Sequence, residues 1–139
     1  SKESTLITRY VVKEAINELK PKILLVEDNE LNQLLAIKVF KKWEKEIDIA
    51  DNGKIALEKI EKNDYDIILM DIQMPEMDGL SATRAIRALP LAHQPRIVAL
   101  TANAFETDRE NSLKAGMDDF LAKPFRFEDV QMKLGAVLR

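Results

Sequence analysis

Five chemically capable residues stand at the ends of short apolar runs. Glu27 and Asp28 close KILLVED (Lys22 to Asp28), and Asp71 closes DIILMD (Asp66 to Asp71). Thr101 closes the apolar part of RIVALTA (Arg96 to Ala102), and Lys123 follows the apolar part of DDFLAKP (Asp118 to Pro124). Open α/β sheets place their ligands at the carboxyl ends of buried strands. If the four runs lie parallel in one sheet, three acids, a hydroxyl and an amine converge on one edge, and Asp71 is the best candidate for the chemistry. Clustered carboxylates repel, so that one of them resists ionisation. A hard cation removes that conflict, and Mg²⁺ in particular uses one or two carboxylates with waters and a phosphate. It would polarise a phosphoryl oxygen for attack by a carboxylate. Lys123 offers a point charge for a phosphoryl oxygen and Thr101 a hydroxyl donor. Each part has a role in phosphoryl transfer onto Asp71.

The elements that must position these groups follow from periodicity. From Lys22 onward, strand-like runs alternate with segments of helical period, which predicts a doubly wound α/β fold. Strands are expected near 22–27, 46–50, 66–71, 96–101 and 118–122. Between them Leu31, Leu34, Leu35, Val39 and Trp43 form one apolar stripe; Ile55, Ala56, Leu57 and Ile60 form a second; Leu80, Ala85, Ile86 and Leu89 form a third. Each stripe is expected to cover a sheet face. A last helix carries Phe127, Val130, Leu134, Val137 and Leu138, after which the sequence ends. The segment Phe105 to Ala115 has capping-box spacing at Thr107 and Glu110 but few apolar residues beyond Phe105 and Leu113, so it is expected to be the least firmly docked helix. Residues 1–21 stand outside the alternation. Val11, Val12, Ala15, Ile16 and Leu19 make an amphipathic stripe ended by Pro21, which reads as a linker extension before a domain spanning 22–139.

Composition narrows the function classes. The 139 residues suit one ordinary domain. A net charge of −3 gives no electrostatic reason to expect a nucleic-acid partner. The absence of cysteine excludes disulfides, thiolate metal sites and cysteine nucleophiles. No apolar stretch approaches the roughly 20 residues of a membrane span, and no signal peptide is evident.

At these residues the chain from Lys22 onward resembles a two-component response-regulator receiver domain. The resemblance rests on Glu27-Asp28, on Asp71 followed by MPEMDG (Met74 to Gly79), on Thr101-Ala102 and on Lys123-Pro124, all in order at strand ends. It implies a flavodoxin-like (βα)5 fold with a parallel sheet of order 2-1-3-4-5. It also implies that Asp71 accepts a phosphoryl group from a phosphohistidine, so that the isolated domain catalyses only its own aspartyl phosphorylation and dephosphorylation. Asp28, Asp71 and the Gln73 carbonyl would bind Mg²⁺ or Mn²⁺, with Glu27 acting through water. Thr101 and Lys123 would grip the phosphoryl oxygens, and Phe120 would be the switch aromatic, with the Lys123–Pro124 peptide cis. Gln73 and Asn103 lie where the family tunes hydrolysis of the acyl phosphate. The implied partners are a histidine kinase domain or a histidine-phosphotransfer protein docking at the first helix near Asp71, with a homodimer left open. A cytoplasmic location follows, whether or not the parent protein is membrane-anchored. Ser4 to Glu14 is similar to the connector before the receiver of hybrid sensor kinases, and the end of the sequence after the last helix fits a carboxyl-terminal receiver of such a kinase.

Simpler roles compete with each residue taken singly. Glu27 and Asp28 could cap the helix starting near Glu30, Asp78-Gly79 reads as turn and helix-start chemistry, and His93 lies in a Pro-flanked loop with no catalytic role expected. A phosphorylation-independent docking module is the alternative for the whole domain. An aspartyl-phosphate phosphatase is disfavoured because Gln73 stands where such hydrolases usually carry a second acid.

Overall fold

A computed structural model describes residues 22–42, 47–74, 77–102, 106–123, 129 and 132. Five parallel strands, β1 (Ile23–Val26), β2 (Asp48–Ala50), β3 (Ile67–Asp71), β4 (Arg96–Thr101) and β5 (Asp119–Ala122), form one sheet of order β2-β1-β3-β4-β5. Helices α1 (Glu30–Lys41), α2 (Gly53–Lys62), α3 (Gly79–Ala88) and α4 (Glu106–Ala115) connect them. This is the doubly wound architecture expected from the alternation, with the flavodoxin-like strand order that the resemblance implied. The tail 1–21, Trp43, Asn103, Phe105, Pro124 and most of the expected last helix fall outside the described residues.

The apolar runs become strands because both faces of a parallel sheet are covered, so every position gains by burial. Ile23, Leu25, Ile67, Leu69, Val98, Leu100 and Leu121 pack on one side with Ala36 and Phe40 of α1. Leu24, Val26, Ile68, Met70, Ile97 and Ala99 pack on the other with Ala56 and Ile60 of α2 and Ala82 and Ile86 of α3. The helix starts carry short polar caps, as expected for unpaired first-turn N–H groups. Asn29, Asn52 and Asp78 accept from the amides of Asn32, Ile55 and Ser81. Glu27 and Asp28 are therefore not the cap of α1, whereas Asp78-Gly79 does start α3.

One helix face departs from the expectation, although Val39 of the expected stripe does pack against the core. Leu31, Leu34 and Leu35 do not cover the sheet; they are 65%, 56% and 47% exposed. Helix α1 carries two apolar stripes, and the sheet takes the one on which small Ala36 permits close approach and Phe40 fills the contact. Helix α4 is anchored weakly, as expected. Of its described side chains only Ser112 and Ala115 are buried, and Leu113, read as one of its two apolar contacts, is 56% exposed. Thr107 lies inside this helix, so its spacing to Glu110 does not mark the helix start.

Candidate functional site

The strand order reverses between β1 and β3, because the chain goes outward to β2 and returns to the other side of β1. A crevice opens at such a switch point beyond the carboxyl ends of the strands. Asp71 ends β3 and Glu27 and Asp28 follow β1, so all three acids stand at that crevice. One carboxylate oxygen from each lies within 4.8 Å of the other two, with Glu27 and Asp71 buried and Asp28 exposed. Lys123, just past β5, reaches across with Nζ 3.1 Å from Glu27 Oε2 and 3.1 Å from Asp71 Oδ2. The backbone of Lys123 donates to the Thr101 carbonyl at 2.7 Å, which ties the β5 end to the β4 end. Thr101 itself is buried at the last position of β4. Glu27, Asp28, Asp71, Thr101 and Lys123 thus share one sheet edge, as expected from the ends of the four apolar runs.

Electrostatics single out Asp71. Burial pushes its carboxyl up to about 6, and the Glu27 charge adds to the rise, while the Gln73 backbone N–H and the Lys123 ammonium oppose it. The Gln73 amide donates to Asp71 Oδ1 at 3.0 Å and fixes the carboxylate, and the Gln73 side chain is exposed beside the site. Burial pulls the Lys123 ammonium down, but Glu27 and Asp71 outweigh it and hold Lys123 above its ordinary range. Three acids against one lysine leave a surplus of negative charge on closely spaced oxygens, with exposed Asp28 on the solvent side. That donor set fits a hard divalent cation.

Phe120 lies partly buried on β5 against the second core cluster, with the Arg109 guanidinium of α4 4.3 Å from its ring centroid. Gly79 packs against the strand bearing the acid: a Cβ there would overlap the Asp71 carbonyl and lie 2.7 Å from Ile72 Cα. His93 is exposed in the α3–β4 loop, away from the acids.

Two sets of positioning contacts were not foreseen. Asn29, Asn32 and Gln33 surround Glu27; the amide-rich string directly after the acidic pair is the one local signal that could have found them. Arg87 gathers the Gly116 and Pro95 carbonyls, Gln94 and Asp118, partners separated by up to 31 positions and without local signal.

The chain belongs to the response regulator receiver domain family, whose model matches residues 23–134. The aerobic respiration control sensor protein ArcB of Escherichia coli K12 is 46% identical over 103 residues, covering 73% of this chain and 13% of that protein. Among solved structures, the receiver domain of sensor histidine kinase PA1611 from Pseudomonas aeruginosa, with magnesium coordinated in its active-site cleft, is 43% identical. Its TM-score is 0.78, over 85% of this chain and 97% of that one. A co-crystal of the Saccharomyces cerevisiae histidine phosphotransfer protein Ypd1 with the receiver domain of Ssk1 matches at 30% identity and TM-score 0.74, over 82% of this chain and 87% of the matched one. The chain spans between 6% and 15% of the length of the curated kinases it matches first. Among the described residues no helix is long and apolar enough to cross a membrane.

Proposed function

We propose that Asp71 is the phosphoacceptor of a phosphorelay and that a donor's phosphohistidine is its source. An Asp71 carboxylate oxygen attacks phosphorus, the P–N bond breaks with its electron pair on the imidazole nitrogen, and that nitrogen takes up a proton. Asp28 and Asp71 would hold Mg²⁺ or Mn²⁺ with the Gln73 carbonyl, and Glu27 would act through water; the chemistry supplied there would be neutralisation of the acids and polarisation of the phosphoryl group. Lys123 needs only to turn from its present bridge between Glu27 and Asp71 to meet a phosphoryl oxygen, and the Thr101 hydroxyl takes another. Gln73 and Asn103 set access of water to the acyl phosphate. The observation that carries this reading is the meeting of Glu27, Asp28 and Asp71, with one oxygen of each within 4.8 Å of the others, and of Lys123, 3.1 Å from both Glu27 and Asp71, at the β1/β3 switch point.

The donor docks on the exposed leucines of α1, Leu31, Leu34 and Leu35, which lie on the helix that starts directly after the acids. An apolar helix face beside an acceptor suits a helical phosphotransfer partner. Residues 1–21 are a linker extension in which Ser4 to Glu14 belong to the connector of a hybrid sensor kinase, and the domain 22–139 works in the cytoplasm. Incubation with acetyl phosphate and Mg²⁺, borohydride reduction and peptide sequencing by mass spectrometry test the site. Homoserine at position 71 is expected, and modification elsewhere refutes the assignment.

A further inference from the structure

Glu27 is 1% exposed, and a buried carboxylate stays charged only if its oxygens find donors. Oε2 meets Lys123, while Oε1 accepts from the Asn29 backbone N–H at 3.2 Å and from the Asn32 side-chain amide at 3.3 Å. The Glu27 backbone is held as well. Its N–H donates to the Ala50 carbonyl at 3.0 Å, and its carbonyl accepts from Gln33 Nε2 at 2.6 Å. The same Gln33 nitrogen donates to Asp51 Oδ1 at 2.9 Å, tying the β1–α1 junction to the β2–α2 junction. Asn32 and Gln33 are adjacent on the first turn of α1, and neither is needed to cap it, because Asn29 does that.

We propose that Asn32 and Gln33 are positioning residues of the phosphoacceptor site: Asn32 fixes the carboxylate of Glu27 and Gln33 fixes its carbonyl, so that Glu27 is aimed at the water shell of the metal position before the ion arrives. The inference rests on the phosphoacceptor reading above. With Oε1 occupied by the two donors from α1, Oε2 is the oxygen left to turn from Lys123 toward the crevice. Without Asn32 the Glu27 side chain gains rotamers that point away from Asp28 and Asp71, and the ion must select the productive one. Partners that orient a metal-binding carboxylate in this way typically alter affinity by tenfold or more. The Asn32 contact is neutral and shares its acceptor with Asn29, so the expected loss of Mg²⁺ affinity is about three- to tenfold.

The test uses Mg²⁺ titrations of the full chain followed by amide NMR, with phosphorylation by acetyl phosphate as a second readout. Alanine forms helix better than asparagine, so Asn32→Ala is expected to fold and to bind Mg²⁺ about three- to tenfold more weakly. The deficit in its phosphorylation rate shrinks as Mg²⁺ approaches saturation, because the lost contact acts on metal binding. In a Glu27→Gln background, Asn32→Ala produces no further loss, since it acts through Glu27. Gln33→Met, which keeps length without donors, weakens Mg²⁺ in the same direction. Wild-type affinity in Asn32→Ala, or in Gln33→Met should Asn32→Ala not fold, overturns the assignment, as does full additivity with Glu27→Gln. If wild-type protein neither binds Mg²⁺ nor takes a phosphoryl group, the phosphoacceptor reading falls instead.

Discussion

At the residue scale, the site is held by a balance of charges that a pH titration can read. The folded-state pKa of Asp71, about 6, lies above its ordinary carboxylate value, so folding favours the protonated form. The resulting stabilisation is complete below the ordinary carboxylate range and is lost as pH rises through about 6. In metal-free protein, denaturation at several pH values therefore shows wild type losing stability relative to Asp71→Asn between about pH 4 and about pH 6, by on the order of 2 kcal/mol. A flat difference contradicts it. Lys123 opposes the rise, so Lys123→Met moves the Asp71 midpoint higher still, as read by carboxyl ¹³C shifts. A lower midpoint would mean that Lys123 is not its counter-ion. The five site residues were legible in the sequence because a strand buried on both faces must be apolar, so a charged or hydroxyl residue at its end is conspicuous. The amide contacts around Glu27 were harder to read, because Asn and Gln after an acidic pair look the same whether they cap a helix, orient a carboxylate or face water.

At the scale of the element, α1 and α4 are set apart by what they bury. Phe40 is fully buried against the sheet and Leu34 is exposed on the other side of the same helix. Phe40→Ala costs about 3–5 kcal/mol in denaturant melts. Leu34→Ala changes stability by less than about 0.5 kcal/mol while slowing phosphotransfer from a histidine-phosphotransfer donor and leaving labelling by acetyl phosphate intact. Equal effects on both donors would show that α1 does not serve docking. The sequence misled here for a physical reason: periodicity reports that a helix has an apolar face, and α1 has two. Small Ala36 gives little hydrophobic signal yet allows the closest approach. Helix α4, anchored through Ser112 and Ala115, is expected to exchange its amides faster than α2 and α3. The segment 106–122 is expected to change its exchange on adding beryllofluoride, because Thr101 and Lys123, proposed to grip the phosphoryl group, flank it. Unchanged exchange throughout that segment would place the switch elsewhere.

At the scale of the whole molecule, the acids gather at the carboxyl edge of the sheet, and the opposite edge carries the Arg87 contacts that join α3 to the segments before β4 and β5. Arg87 of α3 binds Gly116, Pro95, Gln94 and Asp118 at 2.7 to 3.1 Å, and the φ of 108° at Gly116 lets the chain turn sharply out of α4 beneath it. Arg87→Met leaves partly buried carbonyls and Asp118 without these donors, and is expected to cost about 2–4 kcal/mol with Asp71 still able to label. Loss of labelling in a folded variant would mean that this edge also controls the site. Storage of a phosphoryl group on the Asp71 carboxylate is read out by phosphotransfer from a phosphorylated histidine-phosphotransfer protein to wild type and Asp71→Asn, each with Mg²⁺ and with a chelator. The expected result is label on wild-type protein with Mg²⁺ and none on Asp71→Asn; undiminished label on the folded variant would contradict the account.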